Sequence, residues 1–182
     1  PPARDEKILT DWNALMVGAL ALAGRILDEK HFIDEAQRIA DWLLQTLYVP
    51  KSGLLHRYCK GRAGITAHID DYSFMIWGLM ELYQSNFKEH YLLRAIELQE
   101  EMNMHFSDEQ SGAFFSTHDK TDDLPLRPLE IYDGALPSGN SVSMLNLLHL
   151  GSLTGHAAYD DRARRIGAAF SSQIQRMPNA FC

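Results

Sequence analysis

The sequence predicts an all-α chain, a segment of an α/α toroid made of three αα-hairpins, half of a six-hairpin barrel with inner and outer helices. Three observations carry that prediction. Six stretches show helical periodicity. The stretches alternate between apolar nearly all round and apolar along one stripe. The links alternate between a few residues and long irregular segments, so the repeating unit is an αα-hairpin.

The first helix is expected from about Thr10 to Asp28 with Thr10 or Asp11 as N-cap, and the second from about Phe32 to Tyr48, stopped by Pro50. After Ser52-Gly53, the run Leu54 to Cys59 reads as one strand of a small hairpin. The third helix covers about Asp70 to Ser85 and the fourth about Lys88 to His105, with Ser85-Asn86 as the break. Gly112 to Ser116 reads as a second short strand, and neither run is long enough to build a sheet. The fifth helix starts behind Pro137-Ser138-Gly139-Asn140 and reaches about Thr154. Gly155 supplies the turn into a sixth from about Ala158 to Arg176, stopped by Pro178.

Helices one, three and five are apolar nearly all round and read as central. Helices two, four and six carry one apolar stripe and read as peripheral. Short links force antiparallel neighbours, so the N-termini of the three central helices share one end, and both long loops open there. Hairpins starting near Asp11, Asp70 and Ser138 recur at a spacing natural for two concentric helix rings.

Composition narrows the function classes. A chain of 182 residues with 17 Lys+Arg against 24 Asp+Glu has a formal charge of −7, which repels nucleic acid and anionic membranes. The longest nearly uninterrupted apolar run, Ala14 to Gly24, is well short of the roughly 18 to 20 residues that span a bilayer. Cys59 and Cys182 stand far apart with no C-x-x-C, so neither a disulfide framework nor a cysteine metal site is expected, and a reducing, cytoplasmic compartment fits. His31, His90, His105, His118, His149 and His156 are scattered without ligand spacing, so no metal is expected and no cofactor is implied. The chain lacks a start Met and reads as a fragment of something longer.

Polar residues gather at the shared end. Thr10-Asp11-Trp12-Asn13, His68-Ile69-Asp70-Asp71-Tyr72 and Pro137-Ser138-Gly139-Asn140 each open a central helix. Capping alone predicts such residue types, because short polar side chains satisfy orphan N–H groups and acids suit the positive end of the dipole. Asp70-Asp71 exceeds that need, since one N-cap requires one carboxylate. One acid is expected to cap and the other to face a cavity with His68, Tyr72 and the loop carrying Arg127, Glu130, Tyr132 and Asp133. That loop reads equally as a pocket wall or as a structural ion-pair network. His56, Arg57 and Tyr58 are candidates of the same kind, with the surface-loop reading favoured. Ser138-Gly139 is no nucleophile elbow, because G-x-S-x-G is absent.

The stretches Asp5 to Asn13, Asp70 to Phe74 and Asp133 to Ser141 resemble the spermatogenesis-associated protein 20 family, whose bacterial members are described as thioredoxin-domain-containing proteins. The resemblance covers the whole chain. It implies a multi-domain parent with an N-terminal thioredoxin-like domain, absent here, followed by an (α/α)6 toroid similar to N-acylglucosamine 2-epimerases and six-hairpin glycosidases. Residues 1–182 would then be a single fragment of that toroid.

Two functions follow as expectations. The first is a carbohydrate-binding or sugar-active segment using epimerase- or glycosidase-like acid/base chemistry. Asp70, Asp71, Glu130 and Asp133 would be the catalytic acids, and Asp11, Trp12, Asn13, His68, Tyr72, Arg127, Ser138 and Asn140 the substrate-binding set. Trp12 and Tyr72 would act as stacking platforms. The second is a non-catalytic helical scaffold that binds protein partners or the thioredoxin-like domain. In either case half a ring leaves apolar helix faces uncovered, so self-association or instability of the isolated fragment is expected.

Overall fold

The computed structural model describes residues 4–121 and 126–178. Six long helices dominate: α1 (Thr10–Leu27), α2 (Lys30–Leu47), α3 (Ile69–Asn86), α4 (Glu89–Phe106), α5 (Gly139–Thr154) and α6 (Ala157–Arg176). They form three antiparallel hairpins, and the expected all-α toroid segment holds. Two of the three intra-hairpin turns are closed by a non-glycine residue in the left-handed region: Asp28 follows α1 and Phe87 follows α3. Gly155, free of a Cβ penalty, does the same after α5. Among the described residues, no helix is long and apolar enough to cross a membrane.

The inner helices differ from one another. In α3 the side chains of Tyr72, Phe74, Met75, Ile76, Leu79, Met80 and Leu82 are all fully buried, because α1 packs on one side, α5 on the other and α4 behind. By contrast α1 leaves Trp12 and Met16 exposed, and α5 does the same with Leu145 and Leu148. Their apolar surplus lies on the outer flanks of the array, where no further hairpin stands among the described residues.

Small residues set the spacing between α1 and α3. A Cβ added to Gly18 would sit 2.4 Å from the Trp77 ring, and one added to Gly78 would sit 2.8 Å from the Ala14 carbonyl oxygen. The two backbones therefore approach as closely as their sequence permits, and each helix presents its glycine to the bulk of the other.

The irregular segments contain more β-structure than expected. Four strands, β1 (Ile8–Leu9), β2 (Tyr48–Val49), β3 (Gly53–Cys59) and β4 (Arg62–Thr66), form a small antiparallel sheet at one end of the bundle. β3 is its hub and pairs with all three others. The expectation that these runs could not build a sheet is corrected: β3 recruits two-residue partners from the ends of neighbouring helices. The second expected strand is corrected in the opposite sense. Residues 112–116 contribute only an isolated bridge, Ser107 to Phe114, and a neighbouring bridge joins His68 to Thr117.

Replacing Gly78 by Ala should destabilise the fold by about 1 to 2 kcal/mol, since overpacking against a backbone carbonyl outweighs the gain in helix propensity of about 1 kcal/mol. Urea denaturation at equilibrium reads the difference.

Candidate functional site

The N-termini of α1, α3 and α5 meet at one end, and between them lies a cavity of about 280 Å³. Asp11, His56, His68, Asp70, Asp71, Ser116, Thr117, Glu130, Tyr132 and Ser138 contribute to its wall. Six of the twelve residues singled out from sequence are thus brought together: Asp11, His68, Asp70, Asp71, Glu130 and Ser138.

The adjacent acids divide their labour. Asp71 is fully buried. Its Oδ2 accepts the His68 backbone N–H at 2.8 Å, which closes the first turn of α3. Its Oδ1 accepts the Asp11 backbone N–H at 3.0 Å, an orphan donor in the first turn of α1. The His56 ring lies against both oxygens, with Nδ1 at 3.0 and 3.1 Å. The bond to Asp71 raises the His56 pKa above its ordinary value, against the opposing effect of burial. The surface-loop reading of His56 is therefore corrected. Period-two alternation from buried Leu54 places it on the inward face of β3, a signal present in the sequence.

The expected N-caps of α1 are corrected as well. Leu9 flanks the helix with no side-chain cap. Thr10 instead donates its hydroxyl to the Leu55 carbonyl at 2.6 Å, binding α1 to β3, and it is Asp71 from another helix that supplies the capping oxygen. Ser138 does cap α5, accepting the Ser141 N–H at 3.2 Å.

Asp70 is the acid on the cavity. Burial raises its pKa to about 6, and the nearby carboxyls of Asp71 and Asp11 push the same way, against the Gly139 N–H at the start of α5. Gly139 has no substitute at this contact, because an added Cβ would lie 2.6 Å from Asp70 Oδ1 and 2.6 Å from the Ile69 side chain. Asp11 is shifted upward too, first by burial and then by Asp71. On the cavity wall Thr117 Oγ1 is buried with no hydrogen-bond partner among the described residues. A buried, unsatisfied hydroxyl costs about 1 to 3 kcal/mol, a cost that a bound polar ligand removes.

The other predicted residues stand elsewhere. Tyr72 is fully buried, its hydroxyl accepting the Leu54 N–H at 3.0 Å and donating to Glu101 at 3.2 Å, so it presents no stacking face to the cavity. Trp12 is 62% exposed and off the cavity wall. Asn13 donates to the Leu9 carbonyl at 2.7 Å. Arg127 donates to the Thr117 and His105 carbonyls and lies over the Phe115 ring, holding loop to helix. Asp133 is buried and accepts the Ser138 N–H at 2.7 Å. Asn140, also buried, accepts the Phe114 N–H and donates to the Phe114 and Glu130 carbonyls, so it positions the loop that carries Glu130.

No family model matches the chain. It is 37% identical to spermatogenesis-associated protein 20 of Rattus norvegicus over 97% of its own length, and 35% identical to the Homo sapiens protein over 98%. It spans 24% of the length of each of those relatives. Among solved structures, a cellobiose 2-epimerase from Spirochaeta thermophila superposes with a TM-score of 0.77 at 14% identity, over 95% of this chain and 45% of the epimerase. A family 76 α-1,6-mannanase of Salegentibacter, in complex with α-1,6-mannotriose, superposes at 0.73 with 12% identity, over 89% of this chain and 46% of the mannanase. That mannanase is an inactive variant in which two consecutive aspartates are replaced by asparagine. The fold shared with these proteins is the six-hairpin toroid.

Asp70 and Asp71 should respond oppositely to amidation. Asp71→Asn replaces one of the two oxygens that between them serve three donors by an NH2 facing a donor, and should cost on the order of 3 kcal/mol in urea unfolding. Asp70 is an acid whose folded pKa lies above its unfolded value, so the folded state holds the extra proton and stability falls as pH rises from about 4 to 6. Asp70→Asn should therefore match wild type near pH 4 and exceed it above pH 6 by about 2 kcal/mol, allowing for partial solvent exposure.

Proposed function

We propose that this cavity is one wall of a carbohydrate site in which Asp70 transfers a proton. The observation that carries the reading is a carboxyl poised near pH 6, beside a second acid, Glu130, in a cavity walled with hydrogen-bonding groups. Near neutral pH such a group spends time in both protonation states, as general acid/base chemistry requires. When protonated, Asp70 donates to a glycosidic or ring oxygen; when ionised, it withdraws a proton from carbon or from water. Asp71 serves by position, holding the start of α3 so that Asp70 faces the cavity, while Thr117 offers an unpaired hydroxyl to a sugar oxygen.

Support comes from the toroids of similar fold, whose names specify epimerisation and mannan hydrolysis. The consecutive aspartates of the inactive mannanase have a counterpart in type at Asp70-Asp71. In the parent protein the remaining hairpins would complete the ring around this wall and supply the rest of the sugar contacts.

The full-length parent should show a thermal upshift with one class of sugar when D-mannose, D-glucose, cellobiose and α-1,6-mannobiose are compared. Asp70→Asn should lower turnover of the responding sugar by about 10² to 10⁴-fold, the range for loss of one positioned acid or base. Absence of any sugar response, or unchanged turnover in Asp70→Asn, overturns the reading.

A further inference from the structure

The His56 ring stands on the same cavity wall as Asp70 and is held by the fold through one nitrogen. Its Nδ1 lies 3.1 and 3.0 Å from the two Asp71 oxygens, and the Asp71 side chain is 1% exposed. Those oxygens also accept one backbone N–H each, from Asp11 and from His68. The carboxylate therefore meets the ring as an acceptor, and Nδ1 carries a hydrogen in either charge state of the imidazole. Proton exchange is left to Nε2, which has no hydrogen-bond partner among the described residues. The backbone beneath is fixed: Leu55 pairs with Thr66, and Arg57 with both Leu9 and Gly64, so β3 is tied down on either side of His56.

Charge around the ring favours its cation. The Asp71 bond raises the His56 pKa above its ordinary 6.5, the Asp71 and Asp11 charges add to the rise, and burial and the adjacent Arg57 oppose it without prevailing. His68, at the start of α3, faces the ring edge-on with centroids 5.2 Å apart, and Glu130 is the acid that the loop before α5 brings to the same wall. Asp70 changes charge near pH 6. Between that value and the higher one of His56, the wall holds an ionised carboxylate and a protonated imidazole together, one able to take a proton and the other to give one.

We propose that His56 is a second catalytic residue of this site, a general acid whose Nε2–H protonates a substrate oxygen while Asp70 removes a proton, with Asp71 as the positioning residue behind it. This role presupposes that Asp70 transfers a proton in a carbohydrate site, as proposed above. In the step, the Asp70 carboxylate forms an O–H bond with a proton taken from a substrate carbon or from an attacking water. The electron pair released moves through the substrate onto a carbonyl or leaving-group oxygen, and that oxygen takes the Nε2 proton as the N–H bond breaks. Asp70 and His56 both end neutral and the charge of the substrate is unchanged, so the step needs no oxidant, reductant or further proton donor.

The full-length parent and the sugar that stabilises it supply the test. Its kcat/KM should rise with pH as Asp70 ionises near 6 and fall at higher pH as His56 loses its proton. The midpoint of that fall should coincide with the His56 titration followed by NMR in full-length protein labelled with 15N-histidine. His56→Asn places an amide N–H where Nδ1–H stood, keeping the bond to Asp71, and has nothing in place of Nε2. It should retain the thermal response to the sugar, lose turnover by about 10²- to 10⁴-fold and lose the high-pH limb, while the limb near pH 6 stays. A wild-type profile without a high-pH limb, a limb that does not match the His56 titration, or His56→Asn with the limb intact overturns the role. Where Asp70→Asn loses turnover and His56→Asn keeps it, the reading of Asp70 stands and this one fails.

Discussion

The buried carboxylate of Asp71 binds three elements at once: the first turn of α1 through the Asp11 N–H, the first turn of α3 through the His68 N–H, and β3 through the His56 ring. Helix ends in this fold converge, and convergence creates a difficulty, because each brings unpaired N–H groups into a space with little water. One acceptor shared between two helices answers part of that need and also fixes their relative height. The neighbouring residue then inherits its position. With Asp71 turned inward against three donors, Asp70 is left on the cavity side of the same helical turn.

That inheritance sets the electrostatics of Asp70. A helix N-terminus ordinarily favours negative charge, typically by 0.3 to 1 kcal/mol. At Asp70 the Gly139 amide works in that direction, but burial and the carboxyls of Asp71 and Asp11 work against it and prevail. Two features of the sequence build this balance. Gly139 lets the start of α5 reach Asp70, and Asn140 holds the preceding loop across it through bonds to Phe114 and Glu130.

The alternation of helix types and loop lengths is enough to derive the hairpins, and the doubled acid at Asp70-Asp71 marks the turn where one carboxylate accepts the helix-end N–H groups and its neighbour borders the cavity. Residue type fails to separate the two roles of polar side chains near the shared end. Asp133, Asn140 and Arg127 look like pocket residues, yet all three bond to loop backbone, since long irregular loops need such acceptors and donors as much as ligands do. The sheet escaped because β1 and β2 are two residues long and show no alternation to read.

The asymmetry between α3 and its flanking inner helices bears on how the chain opens. α3 is covered on every side, whereas α1 and α5 each have one apolar flank in water. Local openings that detach the first or third hairpin forfeit one helix interface each, while exposing the α3 backbone requires both to separate. Amide hydrogens in the middle of α3 are therefore the slowest to exchange with solvent, at the free energy of global unfolding, and those of α6 exchange through a smaller excursion that leaves the Asp71 junction intact. The cavity sits on the boundary between these two tiers: its floor, at the start of α3, belongs to the most persistent part of the molecule, and its α5 wall to a unit that can part from it.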